Sequence, residues 1–379
     1  FLATVFREER RRRPGLRVEG SGCPHPLPAM VLLGLDLGAT SAKAAVVRGN
    51  GVVAASASRA LGDGAIDLEA SEVVALLADA ADAAVRASGA AWADVTAVGL
   101  GSPGAVDGFE GTVSGCANLF RDATVPLRRL TLEALSKFDG FLADVALLND
   151  GDAALCAEVW VGAAKGCDHV AMLTLGSGVG CGLLVGGKTV RRLVEGGHMI
   201  VAGPEGRPCG CGSRGCLEAY ASANAVSKMY SEETGAEATC AAVFAKALEG
   251  ESAAMRVVDV SARHLALGCI NLLRILDPQV VVLGGAPPRC GTPHVAATCI
   301  EIQRVQIGGM AAAGEALLAA VRRHVEELGW NCLPKCADRI RLVGAGPHAG
   351  CIGAAKAALD AAGSDVPPAP THPPSPPVS

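Results

Sequence analysis

The chain has 379 residues, room for two α/β domains with a core each. Half of it is apolar but only 3% is aromatic, so a core must be built from Ala, Val and Leu, and a net charge of −5 makes no case for a nucleic-acid partner. Its 15 cysteines, an odd number, follow no secreted disulfide pattern and point to a reducing compartment, hence a cytoplasmic protein.

Residues 1–29 hold REERRRRPGLR and then SGCPHPLP, without apolar periodicity. They lack the apolar run of a secretory signal, and Glu8, Glu9 and Glu19 do not suit a transit peptide. A disordered tail or upstream translated sequence is expected, with Met30 the natural start. VLLGLDLGATSAKAAVVRGNG then reads as strand, turn, strand, with Asp36 at the end of the first strand and Gly38-Ala39-Thr40 in the turn. Val73, Leu76, Leu77, Ala80 and Val85 recur at helical spacing, which predicts a packing helix over residues 69–87. DVTAVGLGSPGAVDG is a strand ending in a Ser-Pro-Gly turn. Asn118 follows in a loop, where a lone Asn is usually a turn residue. VALLN is a short strand, and Asp150 opens an alanine-rich helix running through Trp160. By spacing alone Asp150 is an ordinary N-cap residue, although the helix dipole would also favour the anion that a base needs.

LTLGSGVGCGLLV is an apolar run, a glycine turn and a second apolar run. Gly176, Gly178 and Gly180 leave N–H groups that a phosphate could approach, while the bland reading is a tight hairpin. It echoes LGLDLGATSAKAAVV, a faint internal repeat of the kind left by two duplicated halves facing a cleft. The uncharged run over residues 170–187 nears membrane length, but its six glycines with Thr174 and Ser177 argue for strand–turn–strand and against a membrane span. His198 precedes CGCGSRGC. One imidazole and the thiolates of Cys209, Cys211 and Cys216 would make a closed tetrahedral zinc site, structural because no position is left for water. The alternative is buried free cysteines. Glu195 and Glu218 bracket the loop and suit recognition of sugar hydroxyls, or are two solvated glutamates. Residues 221–249 read as a helical stretch and Val257–Leu276 as another. QVVVLGG is then a buried strand with a glycine turn. The tail over residues 364–379 is Pro-rich and reads as disordered or polyproline II.

The pattern EGGH…CGCGSRGCLE resembles the hallmark of the ROK family (repressor, open reading frame, kinase), which comprises ATP-dependent sugar kinases and related transcription repressors. The resemblance spans roughly residues 31–360. It implies an α/β, two-lobed actin/hexokinase-like (ribonuclease H-like) ATPase fold with a cleft between lobes. The lobes would cover residues 30–146 and 147–363, with a zinc loop at 198–218 and a last helix packing back on the first lobe. It implies that Asp36 is the Mg²⁺-side carboxylate, that Gly38, Thr40, Gly176, Ser177 and Gly178 face ATP phosphates, and that Lys43 is the basic residue of the second strand. Gly284 and Gly285 match a nucleotide-side turn. Asn118, Asn149, Glu195, His198 and Glu218 would orient a sugar, with His198 serving zinc and sugar together. Asp150 would take the proton from the attacking hydroxyl.

The implied reaction is phosphorylation of a hexose at its 6-hydroxyl, most simply glucose to glucose 6-phosphate. N-acetylhexosamine kinases and fructokinases of the family are alternatives, and homodimers are usual in it. A sugar-responsive regulator is the rival from another class, but residues 1–29 are too short for a helix-turn-helix domain. The chain departs from the family pattern at Ala39, at Asp122 and in Gly151-Asp152-Ala153. Asp152 is expected to raise the pKa of Asp150. Residues 287–309 intervene where the family passes almost directly into a helix such as that at 314–328, and are expected to be an insertion beside the adenosine pocket.

Overall fold

The computed structural model describes residues 30–38, 40–62, 68–116, 119–120, 124–190, 194–284, 314–328 and 335–363. The expectations for the two tails, for Asn118, Asp122 and Gly285, and for the insertion at 287–309 lie outside the described residues.

Two five-stranded sheets share one plan. In the first, β1 (Val31–Gly38), β2 (Ser41–Arg48) and β3 (Val53–Ala60) form an antiparallel meander, and β4 (Val95–Ser102) and β8 (Val145–Asn149) join parallel to β1, in the order β3-β2-β1-β4-β8. The second is β11-β10-β9-β12-β13, built from β9 (Val170–Leu175), β10 (Val179–Val185), β11 (Lys188–Thr189), β12 (Val280–Gly284) and β13 (Ile340–Leu342). Its directions repeat those of the first: β9, β10 and β11 antiparallel in turn, then β12 and β13 parallel to β9. The faint repeat in the sequence is therefore two copies of one topology. A small sheet of β5 (Ala105–Asp107), β6 (Thr112–Ser114) and β7 (Thr124–Val125) projects from the first.

Burial explains the sequence pattern. β1 is buried almost throughout and reads as a continuous apolar run, whereas β3, at the edge, alternates. α1 (Ala70–Ser88) and α2 (Leu127–Leu135) cover one face of the first sheet, with Val73, Leu77, Val85, Leu127 and Leu135 in the same core as Leu33, Leu35 and Val98. α7 (Ser252–Leu276) backs the second sheet together with α8 (residues 314–327), through Leu265, Leu273, Leu318 and Val321. The helical stretch read over residues 221–249 divides into α5 (Ala223–Thr234) and α6 (Cys240–Leu248). Gly235, at φ 74°, ends α5, and the Thr239 hydroxyl accepts from Ala242 N to start α6. Among the described residues no helix is long and apolar enough to cross a membrane.

Two helices lie where the halves meet. α3 (Asp150–Trp160) packs on α9 (Ala349–Ala362), and α9 lies on the first sheet, with Cys351, Ile352 and Ala355 against Leu32, Ala45 and Ala97. These contacts are backbone-close. A Cβ on Gly353 would stand 1.6 Å from the Ala153 carbonyl oxygen, and one on Gly34 would stand 1.8 Å from that of Cys351. A core of small residues thus draws the helices onto the sheet more closely than larger ones could.

Candidate functional site

Asp36 ends β1 and stands opposite Lys43 in the hairpin register, with Lys43 Nζ 3.2 Å from its Oδ2. The start of α9 presses on the same carboxylate: a Cβ on Gly350 would lie 2.6 Å from Asp36 Cγ. The pair is partly exposed and contributes little stability. His348, beside that N-terminus, has its pKa lowered by burial and then by the Lys43 charge. Gly38 ends β1, and Thr40 is exposed in the turn, its carbonyl accepting from Leu61 N at 2.9 Å.

Asn149 caps α3. Its side-chain oxygen accepts from Gly151 N at 2.8 Å, and its amide donates to the Gly104 carbonyl at 3.0 Å, so the start of the helix is tied to the turn after β4. Asp150 opens the helix and is exposed to the cleft, with Oδ1 accepting from Gly151 N at 2.9 Å. Protein crowded around it nevertheless raises its pKa above the usual carboxylate value. The Gly151 N–H opposes this, and the Asp36 charge adds to it. The like charge acting on Asp150 is therefore Asp36 across the site. Asp152 contributes to raising the Cys181 thiol, which burial above all pushes up to about 11. Cys116, which spacing did not single out, is also close: burial and then the Asp150 charge push its thiol up to about 11.

The second half supplies the facing group. Glu218 starts α4 (Glu218–Ala221), and its Oε2 accepts from Val179 N at 2.9 Å. A Cβ on Gly178 would stand 2.5 Å from that oxygen, and one on Gly197 would stand 1.9 Å from the Val179 carbonyl oxygen. The glycines of the turn and of EGGH are thus required where the loop lies on β10. One expectation narrows here. Gly176 N donates to the Gly178 carbonyl at 2.9 Å, and Gly180 is paired with Thr174 in the ladder, so these two glycines belong to a tight hairpin. Ser177, at the tip, is exposed. Gly284 ends β12 beside Thr174, with no room for a Cβ against Val343.

The ligating atoms of His198, Cys209, Cys211 and Cys216 all lie within 4.8 Å of one another. His198 Nδ1 is 3.6 Å from Cys209 Sγ, and Cys211 Sγ is 3.7 Å from Cys216 Sγ. Zinc–sulfur bonds of about 2.3 Å require tetrahedral edges of about 3.8 Å, so the donor set fits a zinc ion. The loop is held by bridges Ile200↔Cys216 and Pro208↔Arg214, and by Arg207 N donating to the Tyr220 hydroxyl at 2.8 Å. Tyr220 stacks on His264 of α7 at 3.7 Å. With Nδ1 turned to the thiols, His198 Nε2 faces Glu195 Oε2 at 3.8 Å. Glu218 Oε1 is 3.9 Å from Cys209 Sγ, so this carboxylate touches both the loop and the glycine turn.

α3 joins the two groups. Its Gly151 carbonyl would be 3.6 Å from a Cβ on Gly182 in β10, which sets Asp150 beside the strand whose first residue holds Glu218. Asp36, Lys43, Asn149 and Asp150 therefore gather on one side, and Glu195, His198, Glu218 and the three cysteines on the other.

Known proteins of the same build are similar over two thirds or more of the chain. A glucokinase of Thermotoga maritima is 30% identical over 283 residues, covering 70% of this chain and 84% of its own. An N-acetylmannosamine kinase of Yersinia pseudotuberculosis is 31% identical over 260 residues, covering 67% and 82%. The ROK hexokinase of Thermus thermophilus superposes with a TM-score of 0.67 at 31% identity, over 88% of this chain and 100% of that one. A ROK family glucokinase of Streptomyces griseus, solved with glucose and AMPPNP, superposes at 0.65 and 27% identity, over 87% and 99%. The shared fold is the two-lobed actin/hexokinase type. Residues 32–287 match the model of the ROK family, and with the duplicated lobes and the Cys/His loop in place the chain belongs to that family.

Proposed function

We propose that the protein is an ATP-dependent hexose kinase that phosphorylates the 6-hydroxyl, with glucose as its first substrate. The observation that carries this is the pairing of Asp150, a crowded carboxylate at the N-terminus of α3, with Glu195, His198 and Glu218 on a loop whose four metal donors have tetrahedral spacing. Asp150 accepts the hydroxyl proton as that oxygen bonds to the γ-phosphorus and the bond to the bridging oxygen of ADP breaks. Its pKa, raised by burial, makes its anion a stronger base than an ordinary aspartate. Glu195 and Glu218 accept hydrogen bonds from sugar hydroxyls, and Asn149, already holding the Gly104 carbonyl, keeps the helix start in register. Asp36 and the turn at Gly38 and Thr40 would face the phosphates of ATP. A Mg²⁺ held at Asp36 would neutralise charge on them. A zinc ion on His198, Cys209, Cys211 and Cys216 would be structural. It rigidifies the loop and, through His198, fixes the imidazole that points its other nitrogen towards Glu195.

An N-acetylhexosamine kinase is the second reading, favoured by a relative named for that activity at similar identity. A coupled ADP-release assay over glucose, mannose, fructose, N-acetylglucosamine and N-acetylmannosamine separates the two. Turnover of glucose alone supports the first reading, preference for an acetylated sugar supports the second, and no turnover with any sugar removes both.

A further inference from the structure

α3 carries a third carboxylate besides Asp150 and Asp152. Glu158 is fully buried, at 0% exposure. Its Oε2 accepts from Ala163 N at 2.7 Å and Gly344 N at 2.8 Å, and its Oε1 accepts from Ala345 N at 2.8 Å and Gly344 N at 3.0 Å. These amides belong to the two segments by which the chain passes between its halves: residues 161–169 lead from α3 to β9, and residues 343–348 lead from β13 to α9. A buried anion is costly unless its lone pairs are filled, and here three backbone N–H groups fill them. Glycine permits the approach. A Cβ on Gly162 would stand 2.2 Å from Glu158 Oε2, and one on Gly344 would stand 3.0 Å from Ala163 N. Arg341 adds a second tie, its Nη1 donating to the Ala163 carbonyl at 2.9 Å.

We propose that Glu158 is a positioning residue: it pins both crossovers to one point, the pivot about which the halves close. That pivot sets two elements together. α3 carries Asp150 eight residues, about 12 Å, from Glu158, and α9 begins against Asp36. The effect on turnover rests on the kinase reading, while the pivot itself rests only on these contacts.

Glu158→Gln keeps the shape but turns one acceptor oxygen into an NH₂ group facing an N–H, which releases one crossover. With glucose and ATP–Mg²⁺, kcat should fall roughly 100-fold, the size expected when reacting groups shift by about 1 Å. The glucose dissociation constant by calorimetry should stay within about threefold, and amide exchange at Ala163, Gly344 and Ala345 should quicken. Gly162→Ala, which pushes on the carboxylate without changing its charge, should repeat that split. Unchanged kcat with unchanged exchange overturns the proposal. So does loss of kcat and glucose affinity together with a lowered Tm, which assigns Glu158 a merely structural role. If the variants do not fold, the parent protein decides. Its Ala163, Gly344 and Ala345 amides must exchange as slowly as those of β1, and equally so with and without glucose plus AMPPNP; fast exchange in either state overturns the pivot. A parent that phosphorylates no sugar removes the kinase reading and leaves the exchange result to judge the pivot alone.

Discussion

Asp150 stands in the first turn of α3, where the helix dipole favours its anion, yet crowding and the Asp36 charge outweigh that and raise its pKa. The sign of the linkage follows. The folded state binds this proton more tightly than the unfolded chain does, so Asp150 costs stability once pH has risen through its folded pKa. Asp150→Asn should therefore lose turnover by about 10²–10⁴-fold while glucose binding measured by calorimetry persists. Its Tm relative to the parent should climb as pH rises from the ordinary aspartate value through the raised folded pKa. A Tm difference that does not change with pH would mean that Asp150 is not perturbed in solution. The acid limb of kcat/KM for the parent should lie above the ordinary aspartate value, with activity lost as pH falls through it, because only the ionised form can take the proton. A limb at the ordinary value would remove the crowded cleft from the account.

At the level of elements, the loop after β11 depends on something its sequence cannot provide by packing. It is rich in glycine, with Gly212 and Gly215 at positive φ, and only Cys216 of its three candidate thiols is buried. Metal bonds would supply the missing rigidity. Purified protein should hold about one zinc per chain, read by atomic emission. Cys216→Ser should lose that zinc, lower Tm by about 5 °C or more and raise the KM for sugar, since Glu218 and Glu195 would no longer be held. Full zinc occupancy in that variant would place the ion elsewhere. The α3–α9 contact is the other sensitive element. Gly353→Ala would force a methyl onto the Ala153 carbonyl and should cost about 3 kcal/mol in denaturant unfolding. A change below about 0.5 kcal/mol would show that the helices part without strain.

Across the whole molecule, one fold is written twice, and the residues proposed to bind and react come from opposite copies. Asp36 and Asp150 lie on the first sheet and at the helix that leaves it, whereas Glu195, His198 and Glu218 lie in the loop after β11 and at the start of α4, beside the second. On the proposed kinase reading such a site would be completed by closure, which would also exclude the water that competes with the sugar as acceptor. Glucose should reduce the radius of gyration measured by X-ray scattering, and Asp150→Asn should close as the parent does, because binding and proton transfer are separate duties. A radius unchanged by any sugar of the panel would argue against closure.

The linear chain determined the elements whose signal is local. The apolar runs of β1 and β9 with their glycine turns, the helix opening at Asp150, and the compact spacing of His198, Cys209, Cys211 and Cys216 need only neighbours in sequence to be read, although spacing made Asp150 the cap and the structure gives that place to Asn149. Tertiary structure alone decided which distant groups act on one another. Asp36 bears on Asp150 although 114 positions separate them in the chain, because the fold brings the end of β1 to the start of α3. The glycines of EGGH are set by close approach to β10, and Glu158 looks like an ordinary helical glutamate until the crossover at residues 344–345 folds onto it. Local propensity and spacing decay within a few residues, whereas a carboxylate's environment is set by whatever backbone the fold brings within hydrogen-bonding reach, however far away it lies in the chain.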